Sequence, residues 1–229
     1  MSATSPTAGS ESTANSDLEF VVRTIAQTAV DNEREFGELD AVVGDGDFGY
    51  SLARGFEIVL ADWDTFDRSS PSAFLKKVAL VISKRVGGTS GPLWGTAFLR
   101  AAGAIGDRAG LGGTDAVAML RAAAEGIKVR GRSDLGDKTL LDALIPMTDA
   151  LEEEIRAVRT GGGAVADSAR LARVAASAAR TAADATTPML ARRGRPSYTG
   201  ERSIGSPDAG AVAIAVIAER IADEWARRT

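Results

Sequence analysis

In the stretch Leu18-Glu19-Phe20-Val21-Val22-Arg23-Thr24-Ile25-Ala26-Gln27-Thr28-Ala29, apolar side chains recur every three or four residues. This spacing places them on one face of an α-helix, so the stretch predicts a helix that packs against a core. We expect Ser16 or Asp17 to cap this helix and Gly37 to end it. The same period returns through most of the chain, and it therefore sets the fold class.

The helical pattern returns in segments that are separated by clusters of Gly, Pro, Ser and Asp. We predict further helices over 52–63, from Pro71 onward, and at about 92–106, 114–130, 139–159, 164–191 and 208–227. No segment shows the alternation that is typical of a β-strand. About eight helices joined by short loops imply antiparallel neighbours. The sequence therefore predicts an all-α fold, either a bundle or a closed helical barrel.

The first 16 residues differ from the rest because they are rich in Ser, Thr, Ala and Gly. They have neither a basic start nor an apolar run, so we expect residues 1–16 to form a disordered tail and not a signal peptide. Residues 17–229 have the size of one domain. No apolar run approaches the roughly 20 residues that a membrane-spanning helix needs. We expect a cytoplasmic protein with no membrane contact.

The composition excludes several kinds of site. The 229 residues include neither histidine nor cysteine. A histidine general base, a phosphohistidine, a histidine-ligated zinc and a cysteine nucleophile are therefore impossible within this chain. The formal net charge of −4 argues against a nucleic-acid partner, because such proteins carry basic surfaces. Acid-base chemistry is left to carboxylates, to a substrate or to a partner protein.

An acidic, glycine-rich string is the most constrained part of the chain: Leu39-Asp40-Ala41-Val42-Val43-Gly44-Asp45-Gly46-Asp47-Phe48-Gly49. Its glycines allow a tight turn that can bring the three carboxylates together. Carboxylate oxygens suit hard divalent cations such as Mg²⁺. The string predicts a metal site formed by Asp40, Asp45 and Asp47, and a solvated Asp-Gly turn is the alternative.

Two further loops have compositions that suit phosphate. Gly87-Gly88-Thr89-Ser90-Gly91-Pro92 precedes a helical segment, and backbone amides at a helix start bind anions, although an ordinary Gly-Pro helix start is the alternative. The long loop 194–210 combines arginine, hydroxyls and glycine, and arginine is preferred around phosphate, although exposed loops share this composition. The string 131–139 is not a P-loop, because Asp137 separates its second glycine from Lys138 and no strand precedes it.

In this order, the loops resemble those of the nucleotide-binding L subunit of the dihydroxyacetone kinase family, the Dak2-type domain. The resemblance runs from about Leu18 to Trp225. It is carried by Gly-Gly-Thr-Ser-Gly-Pro-Leu-Trp-Gly-Thr, Gly-Asp-Lys-Thr and Gly-Glu-Arg-Ser-Ile-Gly. It implies a barrel of eight antiparallel helices with the nucleotide at one end, and a Dak2-type domain over residues 17–229.

The resemblance also implies roles for individual residues. Asp40, Asp45 and Asp47 match carboxylates that hold two Mg²⁺ ions against the phosphates of ADP or ATP. The implied nucleotide contacts are Phe48, Gly49, Tyr50, Ser51, Thr89, Ser90, Gly131, Leu140, Arg195, Asp208, Ala209 and Gly210. Phe48 stands where the family usually has histidine, and Ser206-Pro207-Asp208-Ala209-Gly210 replaces His-Gln-Asp-Pro-Gly. Neither departure removes an expected metal ligand.

The activity implied is phosphoryl transfer to a short hydroxyketone, such as dihydroxyacetone or erythrulose, held covalently by a histidine of a separate K subunit. Two phosphate routes stay open: ATP donates and leaves, or ADP stays bound and is rephosphorylated by a phosphotransferase protein that draws on phosphoenolpyruvate. The rival function is a non-catalytic metal-ADP sensor that acts through protein contact. A ligand-free structural bundle is disfavoured, because it needs only short connectors.

Overall fold

The computed structural model describes residues 8–106, 108, 110–161 and 167–228. These residues form nine α-helices and two 3₁₀ segments with no β-strand, which confirms the all-α prediction. The helices are α1 (Ala8–Asp31), α2 (Glu33–Ala41), α3 (Phe48–Ala61), α4 (Pro71–Arg85), α5 (Ser90–Ile105), α6 (Gly113–Gly131), α7 (Leu141–Thr160), α8 (Ser168–Ala185) and α9 (Ala209–Arg228). The 3₁₀ segments are Trp63–Thr65 and Arg195–Ser203.

The long helices contact one another in a closed order. Helix α1 packs on α3, each helix from α3 to α8 packs on the next, and α9 packs on α1. All nine helices described above contribute apolar side chains to one core cluster. A closed ring of contacts around one core is what a helical barrel requires, and the barrel itself stays a prediction.

The chain around Gly37 differs from expectation. Helix α1 begins upstream of Ser16 and Asp17, so neither residue caps it. Gly37 does not end a helix but lies inside α2, a short helix that the sequence analysis missed. The break between α1 and α2 falls at Asn32, whose side-chain and backbone N–H groups both donate to the carbonyl oxygen of Thr28, at 2.8 and 3.1 Å. Side-chain competition for a helical carbonyl bends helices.

Other boundaries agree closely with the sequence. Helix α4 begins at Pro71, and the hydroxyl of Ser70 accepts a hydrogen bond from its first turn. Helix α8 ends earlier than predicted because the Thr186 hydroxyl donates to the carbonyl of Ala183 at 2.6 Å and accepts from the amide of Asp208 at 2.8 Å. Of the predicted disordered tail, residues 1–7 lie outside the described residues and the rest belongs to α1.

Contacts between loops show that the predicted site loops meet at one end of the molecule. A Cβ at Gly87 would lie 2.9 Å from the hydroxyl of Ser51, so the loop after α4 borders the start of α3. The amide of Arg192 donates to the carbonyl of Asp137 at 3.0 Å, which joins the loop before α9 to the loop before α7.

None of the described helices has both the length and the hydropathy needed to cross a bilayer.

Candidate functional site

The acidic loop brings its three carboxylates together as the sequence predicts. Asp40 lies in the last turn of α2, and Asp45 and Asp47 follow in the loop to α3. One oxygen from each carboxylate lies within 4.8 Å of the others. Gly46 adopts a left-handed φ of 76°, and its amide donates to the carboxylate of Asp40 at 2.9 Å. A carboxylate trio of this size offers the oxygen ligands that Mg²⁺ prefers.

Close backbone packing sets the position of this loop. A Cβ at Gly49 would overlap the carbonyl oxygen of Glu33 and lie 2.5 Å from the amide nitrogen of Gly37. The first turn of α3 therefore lies directly against the backbone of α2. A Cβ at Gly44 would lie 2.7 Å from the carboxyl carbon of Asp40. Both positions lack space for any side chain, which explains why glycine recurs here.

Arg195 brings one positive charge to the acidic cluster. Its Nη1 contacts Asp45 and lies 3.0 Å from the carboxylate of Asp47. Desolvation opposes ionisation of Asp45, but the hydrogen bond and charge of Arg195 outweigh it and lower the pKa of that carboxyl. Burial raises the pKa of Asp40 despite amide hydrogen bonds from Phe48 and Gly46. The arginine thus joins the last loop of the chain to the first.

The two residues predicted to contact phosphate lie at the start of α5. Thr89 is its N-cap residue and Ser90 its first residue, and the Thr89 side chain makes no capping hydrogen bond. Free backbone amides at a helix N-terminus attract anions. Because Gly87 borders Ser51, this helix start and that of α3 border one another. The sequence predicted the helix start after residues 87–92, whereas it treated residues 48–51, which begin α3, as loop.

The residues that follow the acidic loop have different surroundings. Phe48 is half-buried, and its ring packs on buried Phe36 with the centroids 6.1 Å apart. An aromatic side chain here therefore has a packing role that a histidine would fill less well. Gly49 is buried, Ser51 is partly buried, and Tyr50 is exposed beneath the guanidinium of Arg54. Phe48 and Gly49 are packed against neighbouring residues, whereas the side chain of Tyr50 is exposed to solvent.

The other predicted nucleotide contacts lie around the starts of α7 and α9 and at the end of α6. Leu140, at the start of α7, is buried. A Cβ added at Gly210 would lie 3.2 Å from the Cβ of Leu140. Asp208 accepts a hydrogen bond from the amide of Ala211 at 2.8 Å and so caps α9, in which Ala209 is the first residue. Gly131, at the end of α6, borders Leu93 of α5.

Two buried charged residues in the same region were missed as site residues. Asp142 accepts from the amides of Gly136 and Thr139 at 2.6 and 2.7 Å. Lys138 is 2% exposed and donates to backbone carbonyls. Desolvation raises the pKa of the nearby Asp208 to about 7. The string Gly-Asp-Lys-Thr signalled this loop in the sequence, but a comparison with the P-loop alone gave Lys138 no role.

The arrangement suits a polyanion held together with a metal ion. It combines three carboxylate oxygens for a cation, one arginine, and two helix starts with amides for phosphate. The family model of the DAK2 domain matches residues 42–223 of this chain. The chain belongs to the DAK2 domain family. Most of the match lies in the helices and loops described above.

Relatives of this DAK2-domain chain include free-standing subunits and longer enzymes. It is 35% identical over 184 residues to the PEP-dependent dihydroxyacetone kinase, ADP-binding subunit DhaL, of Escherichia coli, covering 80% of this chain and 84% of that protein. It is 38% identical over 209 residues to L-erythrulose 1-kinase of Mycolicibacterium smegmatis, covering 90% of this chain. It spans only 35% of that longer kinase.

The fold of the DAK2-domain chain also matches a solved structure. The crystal structure of the dihydroxyacetone kinase of C. freundii in its native form has a TM-score of 0.69 and 23% identity. The match covers 98% of this chain and 37% of that one. At this identity the likeness establishes the fold alone. It agrees with the all-α architecture predicted from the sequence.

Proposed function

We propose that this chain is the nucleotide-binding subunit of a kinase that phosphorylates dihydroxyacetone or a related short hydroxyketone. The observation that carries the proposal is the convergence of Asp40, Asp45, Asp47 and Arg195 where the site loops meet. The E. coli relative is named an ADP-binding subunit, and this chain covers 84% of it. The long M. smegmatis relative is named an erythrulose kinase.

The carboxylate trio fits magnesium, because its ligand atoms are all oxygens and lie close together. We propose that Asp40, Asp45 and Asp47 hold two Mg²⁺ ions against the phosphates of ADP or ATP. Bound Mg²⁺ would neutralise charge on the transferring phosphoryl group. The cation would replace Arg195 on the carboxylates and release that guanidinium to contact a phosphate.

The nucleotide would extend from the metal site toward α7 and α9. Amides and hydroxyls near Ser51, Thr89 and Ser90 would bind the phosphates, since helix starts offer unpaired donors. Leu140 and Gly210 would border the base, because they are adjacent and Leu140 is apolar. The remaining proposed contacts are Phe48, Gly49, Tyr50, Gly131, Asp208 and Ala209. Phosphoryl transfer is mainly positioning and charge neutralisation, which this set supplies without an acid-base side chain.

In the family that this chain resembles, a histidine of a separate K subunit holds the ketose covalently, and this chain has no histidine. We propose a separate K-type subunit that holds the hydroxyketone. Support comes from large apolar side chains exposed on the site loops: Val42, Leu135, Tyr198 and Ile204. Exposed apolar side chains around a polar centre are typical of protein interfaces. A cytoplasmic location belongs to the same proposal, because both candidate phosphate donors are cytoplasmic metabolites.

The first test is to purify the protein from cells, denature it, and measure the released nucleotide and magnesium. Stoichiometric ADP would support a bound cofactor that a phosphoenolpyruvate-linked phosphotransferase protein recharges. An empty protein that binds added ATP with Mg²⁺ would support the exchanging ATP route. Failure to bind either nucleotide would overturn the proposal.

A second test separates the kinase subunit from a metal-ADP sensor. The protein is combined with a K-type subunit, dihydroxyacetone or erythrulose, and a phosphate donor, and the sugar phosphate is measured. Omission of this chain is the control. Product formation that depends on this chain supports the kinase, whereas tight nucleotide binding without any transfer would favour the sensor.

A further inference from the structure

Lys138 is a buried lysine inside a polar loop, which is an uncommon environment for this residue type. Its side chain is 2% exposed, and its backbone has a left-handed φ of 62°. Lysine is almost never fully buried unless its ammonium group is paired. A residue other than glycine also adopts positive φ only when the surroundings hold it there. Both observations indicate that this position has a specific task.

The ammonium group of Lys138 is fully used by backbone acceptors. Its Nζ donates to the carbonyl oxygens of Met189 at 3.1 Å, of Ser206 at 2.7 Å, and of Ser203. A lysine ammonium has three N–H donors, so three carbonyls use all of them. Burial lowers the pKa of Lys138 while the charge of Asp208 opposes that shift. Three acceptors and a nearby carboxylate suit the protonated form.

The three acceptors lie at the two ends of one loop segment, residues 189–206. Met189 precedes its 3₁₀ segment, and Ser203 and Ser206 close it. The buried hydroxyl of Ser203 also accepts from the amide of Ala191 at 3.0 Å and donates to the carbonyl of Gly200 at 2.7 Å. The ammonium group of Lys138 therefore joins both ends of the 189–206 segment to the loop before α7, and the Ser203 hydroxyl joins the two ends to each other.

Arg195 lies in the middle part of the 189–206 segment. The guanidinium of Arg195 is about half exposed and lies against Asp45 and Asp47. The arginine itself lacks buried packing, so its position depends on where the segment is anchored. Lys138 anchors the two ends of the segment, and Arg195 contacts the acidic loop.

We infer that Lys138 is a positioning residue that holds the 189–206 segment so that Arg195 reaches the acidic loop and the nucleotide phosphates. The inference rests on the proposed function for its ligand, Mg²⁺ with ADP, but the anchoring is a property of the chain alone. Lys138 acts through Arg195 and makes no nucleotide contact of its own. Supporting groups around a ligand site commonly affect affinity about 10- to 100-fold when they are removed.

The test compares Lys138→Met with the wild-type chain and with Lys76→Met, a matched change at an exposed lysine of α4. The dissociation constant for ADP with Mg²⁺ is measured by calorimetry. Hydrogen exchange is measured at the amides of Ala191 and Gly205. For Lys138→Met we expect about 10- to 100-fold weaker ADP binding and faster exchange at both amides. Exchange at the core of α4 should not change, and Lys76→Met should match the wild type.

A double-mutant cycle separates positioning from general destabilisation. If Lys138 acts through Arg195, then Lys138→Met should add little to the loss of ADP binding already caused by Arg195→Ala. Additive losses would overturn the inference. Where Lys138→Met does not fold, Lys138→Gln serves instead, because its amide keeps two of the three donors; it should show a smaller loss and the same non-additivity.

The two proposals fail in different ways. If the wild type and Lys76→Met do not bind ADP with Mg²⁺, the proposed function fails, and the exchange data alone still decide whether Lys138 anchors the segment. If the wild type binds ADP and Lys138→Met binds it equally well with unchanged exchange at Ala191 and Gly205, the positioning role is wrong.

Discussion

The guanidinium of Arg195 lies 3.0 Å from the carboxylate of Asp47 and also contacts Asp45, and it joins the last long loop of the chain to its first. Arginine and Mg²⁺ are both cations that these carboxylates attract, so each weakens the binding of the other through charge repulsion. The proposed metal site is therefore coupled to the 189–206 segment. Binding of a cation would free Arg195 for a phosphate.

Arg195→Ala should affect metal and nucleotide in opposite directions. Removal of the guanidinium leaves the carboxylates of Asp45 and Asp47 without their cation, so Mn²⁺ alone, used as a probe for Mg²⁺, should bind several-fold more tightly. ADP with Mg²⁺ should bind about 10-fold more weakly, because a charge-assisted phosphate contact is lost. Calorimetry and Mn²⁺ paramagnetic resonance measure the two affinities. Arg202→Ala, exposed in the same segment, is the control, and parallel changes in both affinities would contradict the coupling.

Asp45→Asn should abolish Mg²⁺-dependent nucleotide binding while the helices stay folded. The change removes a charged oxygen ligand but no buried volume, since Asp45 is exposed. The control is Asp64→Asn, an exposed site in the 3₁₀ segment Trp63–Thr65. Circular dichroism and calorimetry with ADP and Mg²⁺ give the result. Undiminished binding by Asp45→Asn would show that the metal lies elsewhere.

The fold could be predicted well from the sequence where apolar spacing is regular. Helices α5, α6, α7 and α9 agree with the predicted ranges, because their apolar faces repeat over four or more turns. Helix α8 is shorter at both ends than the predicted 164–191, of which residues 164–166 lie outside the described residues. Helix α2 was missed because it is only nine residues long and has one buried residue, Phe36. Gly37 was predicted to end a helix. Instead, its lack of a side chain lets the backbone of Gly49 pack closely against it.

The convergence of the three carboxylates was predictable because three Asp and two Gly lie within eight residues, so local turn geometry alone can bring them together. The role of Lys138 was not predictable in this way. Its acceptors are 51, 65 and 68 residues away, and backbone carbonyls carry no sequence signal. Contacts of this kind depend on how helices pack, which residue spacing does not encode. The exposed apolar side chains on the site loops gave no signal for the same reason.

Gly49→Ala should destabilise the protein by about 1–3 kcal/mol, because a methyl group there overlaps the backbone of α2. Gly103→Ala is a matched control within α5, where a Cβ would meet nothing within 4 Å. That change should stabilise the protein by about 0.4–1 kcal/mol, since alanine is the better helix former. Urea unfolding followed by circular dichroism measures both. Equal effects of the two changes would mean that α2 and α3 are not in tight contact.

Asp208 makes the stability of the protein depend on pH. Its pKa is raised from 3.8 to about 7 in the folded chain, chiefly by desolvation. Between these two values the folded state keeps a proton that the unfolded state has lost. The contribution to stability is therefore fully present below about pH 4 and is lost as the pH rises through 7. Above pH 7 the carboxylate is charged in both states and the loss is complete.

Asp208→Asn should remove this part of the pH dependence. Asparagine cannot ionise, and its side-chain oxygen can still accept the hydrogen bond from the amide of Ala211 that caps α9. At pH 8 the variant should be more stable than the wild type by about 4 kcal/mol, and near pH 4 the two should be equal. Urea unfolding from pH 4 to pH 8 gives both curves, with Asp223→Asn on the exposed part of α9 as the control. A wild-type curve parallel to that of Asp208→Asn would mean that Asp208 is ionised in the folded state throughout this pH range. In that case Lys138 and the helix start would stabilise the charged carboxylate more than burial destabilises it.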